Sequence, residues 1–222
     1  MGTLYLVRHG QASFGAANYD QLSPLGVSQC HRLGEYFRAK GRRFEAVISG
    51  SLQRQIQSRA AISEGLQQAA SPLVMPGLNE YDSAAVVKAI HPGLLAKADT
   101  PELYRAHFRL LRQGLQAWMA GQTQPEGMPA YVDWVAGVVA ALDHVRTQCV
   151  GDVLMVSSGG PISTVVGQVL GTAPEVTIEL NLRIRNSAVT ELAFTPKRHM
   201  LVTYNTLPHL DDAAYADWVT YS

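Results

Sequence analysis

Arg8, His9 and Gly10 are adjacent near the start of the chain. A guanidinium favours an anionic ligand, and phosphate fits its planar fork of N–H donors. An imidazole nitrogen beside it can attack phosphorus and carry the phosphoryl group as a covalent intermediate. Alone, a tripeptide of this kind also occurs in ordinary turns, so its chemistry depends on what lies around it.

The element before this tripeptide is predicted to be a strand, because residues 3–7 form a short apolar run. Other polar residues follow apolar runs in the same way: Arg54 comes after a second run, Glu80 after a third and Ser158 after a fourth. Ligands of open α/β sheets bind at the carboxyl ends of the strands. These side chains are therefore expected to converge on one edge of a sheet.

The four segments resemble the motifs of the histidine phosphatase superfamily, also called the phosphoglycerate mutase-like family. Its pattern is a strand ending in Arg-His-Gly, a Ser-x-Leu-x-Arg-x-x-x-Thr segment, a Glu after a third strand and a strand ending in Ser-His-Gly-Gly. The resemblance extends over most of the chain, from residue 3 to about residue 210. It departs from the pattern at Ser158, which stands where the family has a second histidine.

The resemblance implies a phosphomonoester hydrolase that works through phosphorylated His9. Arg8 and Arg54 would bind the phosphoryl group, whose charge on its equatorial oxygens must be stabilised during transfer. Glu80 would be the general acid that protonates the leaving group. The alternatives are that Asp82 takes this role or that Glu80 is an exposed loop carboxylate. Water would release the phosphate, and no metal or other cofactor is required.

Five further residues are candidates around this centre. Gln11 and Ser13 follow the nucleophile and can donate hydrogen bonds to phosphate or to the leaving group. Ser158 can donate one hydrogen bond without charge, and losing a preorganised donor costs on the order of 100- to 1,000-fold in rate. The Gly159 amide lies at a predicted helix start, which favours an anion. His209 is considered as a partial replacement for the missing histidine, with a structural role as the simpler alternative.

Three other functions stay open. Ser158 itself suggests a weakly active or inactive phosphate-binding protein. A phosphoglycerate mutase-type phosphomutase is less favoured, because Gln11 and Gly15 stand where the sugar-phosphate mutases commonly have Glu and Asn. A serine hydrolase with Ser158 as nucleophile is disfavoured because Val156 replaces the first glycine of the Gly-x-Ser-x-Gly elbow.

The composition of the chain limits its class and partners. It has 222 residues, of which 47% are hydrophobic and 16% charged, which is typical of a globular protein. Its formal net charge of zero gives no support for binding nucleic acid or a membrane through bulk charge. We therefore expect a cytoplasmic enzyme that binds a small phosphorylated substrate or phosphate, and a homodimer stays open. Cys30 and Cys149 are expected to be free thiols.

Strand-like and helical patterns alternate, which predicts an α/β fold: a three-layer α/β/α sandwich with a mostly parallel sheet. A helical stripe from Tyr104 to Trp118 suggests that residues 81–129 form a helical insertion capping the carboxyl edge of the sheet, within a single domain spanning residues 1–222. Besides the strand already described, strands are predicted at 44–48, 73–75, 153–157, 187–194 and 199–204.

The predicted helices alternate with these strands. One begins at Ser23-Pro24 and ends before Gly41, with the serine as its N-cap. Others are predicted at 52–66 and 161–170 and directly before the strand 153–157. The core face of the first helix is predicted to carry four residues: Val27, Cys30, Gly34 and Phe37.

Overall fold

The computed structural model describes residues 1–13, 19–69, 71–93 and 100–221. These ranges form an α/β fold, a six-stranded mixed sheet flanked by helices. The strands are β1 (Gly2–Arg8), β2 (Ala46–Ser49), β3 (Leu73–Val74), β4 (Val153–Ser157), β5 (Val189–Thr195) and β6 (Arg198–Thr206). The helices are α1 (Pro24–Ala39), α2 (Gln53–Leu66), α3 (Ser83–Ile90), α4 (Pro101–Met119), α5 (Tyr131–Gln148), α6 (Gly159–Leu170) and α7 (Pro174–Arg183).

The strand order across the sheet is β3-β2-β4-β1-β5-β6. The first four of these strands are parallel, while β5 is antiparallel to both β1 and β6. In β1, Leu4 and Leu6 pack into one hydrophobic cluster, and Tyr5 and Val7 pack into another on the opposite face. Both faces of this strand are buried, which explains why its sequence is a continuous apolar run rather than an alternation of apolar and polar residues.

Helix α1 begins as its sequence predicts, because the Ser23 hydroxyl accepts a hydrogen bond from the Gly26 amide at 3.0 Å. The predicted core face was wrong at one position, since Val27 is 44% exposed. Gly26 is buried instead, because it approaches the backbone of Gln11 so closely that a Cβ would lie 2.1 Å from the Gln11 carbonyl oxygen. The contact between helix and loop thus decides which residue faces inward.

Between Tyr81 and Pro129, the described residues form two helices, α3 and α4, and α4 packs against α3, α5 and α7. The sequence pattern resolved neither α3 nor α7 as a separate element. In the predicted stripe, Leu111, Leu115 and Trp118 are buried, whereas Tyr104 is 46% exposed. The assignment of residues 81–129 as a cap within one domain stays a prediction.

Several boundaries differ from the predicted ones. Helix α6 begins at Gly159 rather than at residue 161, with Ser158 as its N-cap. Strand β5 begins two residues later than predicted, because Ser187 adopts a left-handed backbone conformation with a φ of 55°.

Cys30 is buried, Cys149 is half-buried, and both are free thiols. In the part of the chain that the structure describes, no helix combines the length and apolarity needed to cross a membrane.

Helices α1 and α2 make their closest approach at two glycines. A Cβ at Gly34 would lie 2.1 Å from the Ile62 carbonyl oxygen, and one at Gly65 would lie 2.1 Å from the His31 carbonyl oxygen. Both obstacles are backbone atoms, which cannot rotate away. The two helices can therefore make this close contact only with glycine at both positions.

Replacing Gly34 by alanine should force the two helices apart. We expect Gly34→Ala to lower the free energy of unfolding by roughly 1–3 kcal/mol, because overpacking at a backbone contact cannot be relieved by a rotamer change. Val27→Ala on the exposed face of the same helix is the control and should stay within about 0.5 kcal/mol of the parent. Urea unfolding measures both, and equal stability of the two variants would contradict the close approach.

Candidate active site

The carboxyl ends of β1 and β4 bring the first candidate residues together. The two strands are parallel, with Arg8 paired to Ser157, and the His9 amide donates a hydrogen bond to the Ser157 carbonyl at 2.9 Å. Neighbouring strands lie about 4.8 Å apart. His9 and Ser158, each one residue beyond this pair, therefore occupy the same level of the sheet edge. On the other side of β4, strand β2 leads into α2 and Arg54.

His9 is 2% exposed, and among the described residues each nitrogen of its ring has one partner. Nδ1 lies 2.7 Å from the Gly10 carbonyl oxygen, and Nε2 lies 3.2 Å from Nε of Arg54. A carbonyl can only accept and a guanidinium can only donate, so Nδ1 carries the proton and Nε2 presents its lone pair. Burial, followed by the charges of Arg8 and Arg54, holds the pKa of His9 well below its ordinary value. The ring is therefore neutral, the state that a nucleophile requires.

Arg54 lies in the first turn of α2, and its guanidinium is held by a carboxylate. Its Nη1 is 2.8 Å from Oδ1 of Asp20, whose other oxygen accepts from the Gln53 amide at 2.9 Å. Asp20 thus caps the helix and orients the guanidinium in one arrangement. Sequence reasoning missed Asp20, because it lies 33 residues before Gln53 and has no capping position in the local pattern.

Backbone carbonyls position the guanidinium of Arg8. Its Nη1 donates to the carbonyl oxygens of Ile184 at 2.5 Å and Tyr221 at 2.9 Å. Burial lowers the pKa of Arg8, and the nearby charge of Glu80 opposes that effect. Its Nε is buried and has no hydrogen-bond partner within the described ranges. An N–H donor of this kind suits an anionic oxygen.

Glu80 lies near both arginines and is tied to the start of α6. Each of its carboxyl oxygens is 3.1 Å from the Gly160 amide nitrogen. Burial raises the pKa of Glu80, while the Gly160 amide and the charges of Arg54 and Arg8 oppose the rise. The competing candidate, Asp82, has a different role, because its Oδ1 accepts from the amides of the first turn of α3 and caps that helix.

Ser158 and Gly159 lie at the junction of β4 and α6, and both are buried. The Ser158 hydroxyl oxygen accepts a hydrogen bond from Nε2 of Gln55 at 2.8 Å. A Cβ at Gly159 would lie 2.6 Å from Oδ1 of Asn181, so a larger residue there would require the Asn181 side chain to move. The neighbouring Gly160 amide is bound by the protein's own Glu80. This helix start is therefore partly occupied by a carboxylate.

The hydrogen bonds of Gln11 and Ser13 run to neighbouring loops and to α1. The side-chain oxygen of Gln11 accepts from the Ser23 hydroxyl at 2.8 Å. The backbone amide of Gln11 donates to Oε1 of Gln29 at 2.9 Å. The Ser13 amide donates to the Gln21 carbonyl at 2.8 Å. These bonds position the loop after His9. A direct role of either side chain in binding phosphate stays a prediction, and Gly15 lies outside the described residues.

His209 lies in a 3₁₀ turn, Pro208–Leu210, and is 2% exposed. Its Nε2 is 2.9 Å from the Ser187 hydroxyl, while the Ser187 amide donates to the His9 carbonyl at 3.1 Å. Burial, followed by the charge of Arg32, lowers the pKa of His209 to about 3. Its link to His9 thus runs through another residue's backbone, an arrangement that favours the structural alternative.

The assembled residues can support phosphoryl transfer. A neutral imidazole nitrogen faces the Arg54 guanidinium, and the Arg8 guanidinium has a buried N–H without an acceptor among the described residues. A carboxyl group with a raised pKa, that of Glu80, is close to both guanidiniums. In the described ranges, no three His, Cys, Asp or Glu side chains come together as a metal-binding set. The chemistry available to these side chains is nucleophilic attack, charge stabilisation and proton transfer.

Comparison with known families identifies the superfamily to which the chain belongs. The family model described as "Histidine phosphatase superfamily (branch 1)" matches residues 4–207. The chain belongs to this superfamily. No curated protein matches the sequence. Among solved structures, histidine phosphatase-fold neighbours match over nearly the whole chain.

One such neighbour is a mutant of phosphoserine phosphatase from Entamoeba histolytica in complex with phosphoserine, which is 18% identical with a TM-score of 0.66 over 95% of this chain and 100% of that one. Phosphoglycerate mutase from Bacillus anthracis is 18% identical with a TM-score of 0.64 over 94% of each chain. A mycobacterial glucosyl-3-phosphoglycerate phosphatase is 19% identical with a TM-score of 0.64 over 93% of this chain and 99% of that one. At these identities the likeness establishes the shared fold.

The environment of His209 predicts a pH-dependent contribution to stability. In the unfolded chain His209 takes up a proton with a pKa of 6.5, whereas in the folded protein its pKa is about 3. The unfolded state therefore binds more protons between these two pH values, and stability is lost as the pH falls from 6.5 to about 3. In His209→Gln this loss should be shallower, while kcat/KM for phosphate release stays within about twofold of the parent. Urea unfolding between these pH values and a turnover assay measure the two effects. A large fall in kcat/KM with unchanged stability would instead assign His209 to the active site.

Proposed function

We propose that the protein is a phosphomonoester hydrolase that forms a phosphohistidine at His9 and acts on a small phosphorylated metabolite. The observation that carries this proposal is the state of the His9 ring, a neutral imidazole whose Nε2 lone pair faces the Arg54 guanidinium. A merely structural histidine has no need of this tautomer beside a buried cation. Membership of the histidine phosphatase superfamily supports the same reaction class.

The reaction proceeds in two displacements. Nε2 of His9 attacks phosphorus, the N–P bond forms as the P–O ester bond breaks, and Glu80 transfers its proton to the departing oxygen. The Glu80 carboxylate then takes a proton from water, whose oxygen attacks phosphorus. The P–N bond breaks, inorganic phosphate leaves and Nε2 regains its lone pair. Arg8 and Arg54 stabilise the charge on the phosphoryl oxygens in both steps.

The Gly10 carbonyl supports both displacements. It accepts from Nδ1 at 2.7 Å, so it stabilises the positive charge that the ring acquires when Nε2 bonds to phosphorus. Hydrolysis is favoured over a phosphomutase reaction, because a mutase must also retain the dephosphorylated product and phosphorylate it again. We include in the proposal a cytoplasmic location and independence from metal ions.

A second candidate function is phosphate binding with little or no turnover, and Ser158 is the observation that favours it. A hydroxyl carries no charge where the family has a second histidine. Ser158 as the nucleophile of a serine hydrolase is disfavoured further, because the bond to its Oγ comes from the Gln55 amide, which cannot act as a base.

Loss of His9 should abolish turnover. We expect His9→Ala to reduce phosphate release by at least about 1,000-fold, because the covalent route disappears. The substrates are a generic aryl phosphate and a panel of phosphorylated metabolites, with a chelator present. His31→Ala, at a half-exposed position on α1, is the matched control and should retain activity. Equal turnover in both variants would refute the mechanism, and binding of phosphate without turnover by the parent would establish the second candidate.

The pH profile should separate the roles of His9 and Glu80. His9 must be neutral, so kcat/KM falls once the pH drops below its lowered pKa; Glu80 must be protonated, so kcat/KM also falls as the pH rises through its raised pKa. Glu80→Gln should remove the alkaline limb and reduce kcat/KM for an alkyl phosphate by roughly 100- to 10,000-fold. An aryl phosphate with an acidic phenol should suffer far less, since its leaving group needs no proton.

Asp82→Asn is the control for this profile, because it neutralises the neighbouring helix-capping carboxylate. It should leave the alkaline limb in place and change stability little, because the Oδ1 of asparagine can accept the same two amide hydrogen bonds at the helix start. Disappearance of the limb in Asp82→Asn but not in Glu80→Gln would exchange the roles of the two carboxyl groups.

A further inference from the structure

Gln55 is a fully buried amide beside the candidate active site that the reaction above does not use. It follows Arg54 on α2, and its Nε2 donates to the Leu78 carbonyl at 3.0 Å and to the Ser158 hydroxyl at 2.8 Å. The Leu78 carbonyl can only accept, so the amide nitrogen must face it and the orientation of the side chain is determined. The amide nitrogen makes two hydrogen bonds, whereas its Oε1 is buried and has no hydrogen-bond partner within the described residues.

This arrangement decides what the Ser158 hydroxyl can do. Because its oxygen accepts from Gln55, its proton is directed to another acceptor. In the described part of the chain, no hydrogen bond donated by this hydroxyl is found, and Ser158 lies beside His9 at the end of the neighbouring strand. A phosphoryl group on His9 would supply oxygens that accept such a proton.

We propose that Gln55 is a positioning residue that fixes the Ser158 hydroxyl as a hydrogen-bond donor to the transferred phosphoryl group, so that the two side chains together take the place of the family's second histidine. This inference rests on the proposed phosphatase function. Gln55 acts through Ser158 and does not itself touch the substrate. The pair is uncharged and therefore adds no repulsion to a site that already contains the guanidiniums of Arg8 and Arg54.

Gln55 also joins three elements that carry the site. The Leu78 carbonyl, two residues before Glu80, accepts a second hydrogen bond from the Ser157 hydroxyl at 2.7 Å. One amide thus connects α2, the turn before Glu80 and the end of β4. The side-chain oxygen of Gln55 lies against Gly50, where a Cβ would be only 2.0 Å away. Glycine at position 50 therefore gives the amide its space.

The space occupied by Gln55 also limits what can stand at position 158. Ser158 and Gln55 are both fully buried and in contact, so an imidazole at position 158 would have to displace the amide. Interiors are close-packed and offer few voids of that size. Ser158 therefore cannot be exchanged for the family's histidine unless Gln55 is changed as well.

A double-mutant cycle tests the positioning role. Ser158→Ala should reduce kcat for a phosphomonoester on the order of 100-fold, because one transition-state donor is lost. Gln55→Met keeps the volume but removes the donor, and it should lower kcat in the same direction with little change in KM. Because Gln55 acts through Ser158, the double variant should be no slower than Ser158→Ala within about twofold. Inhibition by vanadate should weaken in parallel.

The inference would be overturned if the reductions in kcat of the two single variants multiplied in the double variant, or if kcat were unchanged in Gln55→Met. Thermal unfolding of each variant accompanies the kinetics, since a purely structural role would move stability without moving kcat. If the parent protein neither hydrolyses phosphomonoesters nor binds vanadate, the proposed function fails. If it does both and the cycle is additive, only the positioning role fails.

Restoring the family's histidine supplies a second test. Ser158→His alone should show no gain in kcat over the parent, because Gln55 occupies the space that the ring needs. Ser158→His combined with Gln55→Ala should be faster than Ser158→His alone. A gain in the single variant, or no difference between the two, would overturn the shared-space argument.

Discussion

The His9 imidazole lies between a carbonyl oxygen that can only accept and a guanidinium that can only donate, and the rest of the site depends on this pair of contacts. Protonation of Nε2 would direct its N–H against an N–H of Arg54. The ring therefore stays neutral, with its lone pair on the nitrogen that faces the cation. The residue after His9 supplies the carbonyl, and the first turn of α2 supplies the guanidinium.

The two partners come from different parts of the chain and are joined by Ser58. Its hydroxyl accepts from the Gly10 amide at 3.0 Å and donates to the Arg54 carbonyl at 2.6 Å. On the other side, a Cβ at Gly10 would lie 2.3 Å from the Gly26 carbonyl oxygen, so the turn after His9 packs directly on the start of α1. The packing of α1 on α2 is thus also the packing that brings Arg54 to His9.

Strong sequence patterns predicted the elements of this framework, and weaker ones did not. Apolar runs placed β1 and β4, and a serine-proline start placed α1, within one or two residues of their observed bounds. The short helices α3 and α7 lack an extended apolar stripe and were missed. Val27 was placed on the wrong face because periodicity measures hydrophobicity, whereas the burial of Gly26 results from a backbone contact with Gln11.

The same contrast separates the site residues that the sequence predicted from those that it did not. Arg8, His9 and Glu80 follow strand-like runs, and their positions at the sheet edge are a consequence of chain direction. Asp20 and Gln55 act through contacts with partners 34 and 103 residues away. No local pattern encodes such contacts, and a buried amide or a helix cap from a distant loop becomes visible only when the backbone is folded.

Ser158 illustrates what a motif comparison alone leaves out. Compared with the family pattern, it is a loss, since a hydroxyl replaces a larger ring. In a close-packed interior, however, the volume released by a smaller residue must be filled by another. Gln55 fills the space beside the Ser158 hydroxyl, is fully buried and donates to it at 2.8 Å. Ser158 and Gln55 lie on two elements and share one hydrogen bond, so the hydrogen-bonding capacity of the site must be assessed for the pair.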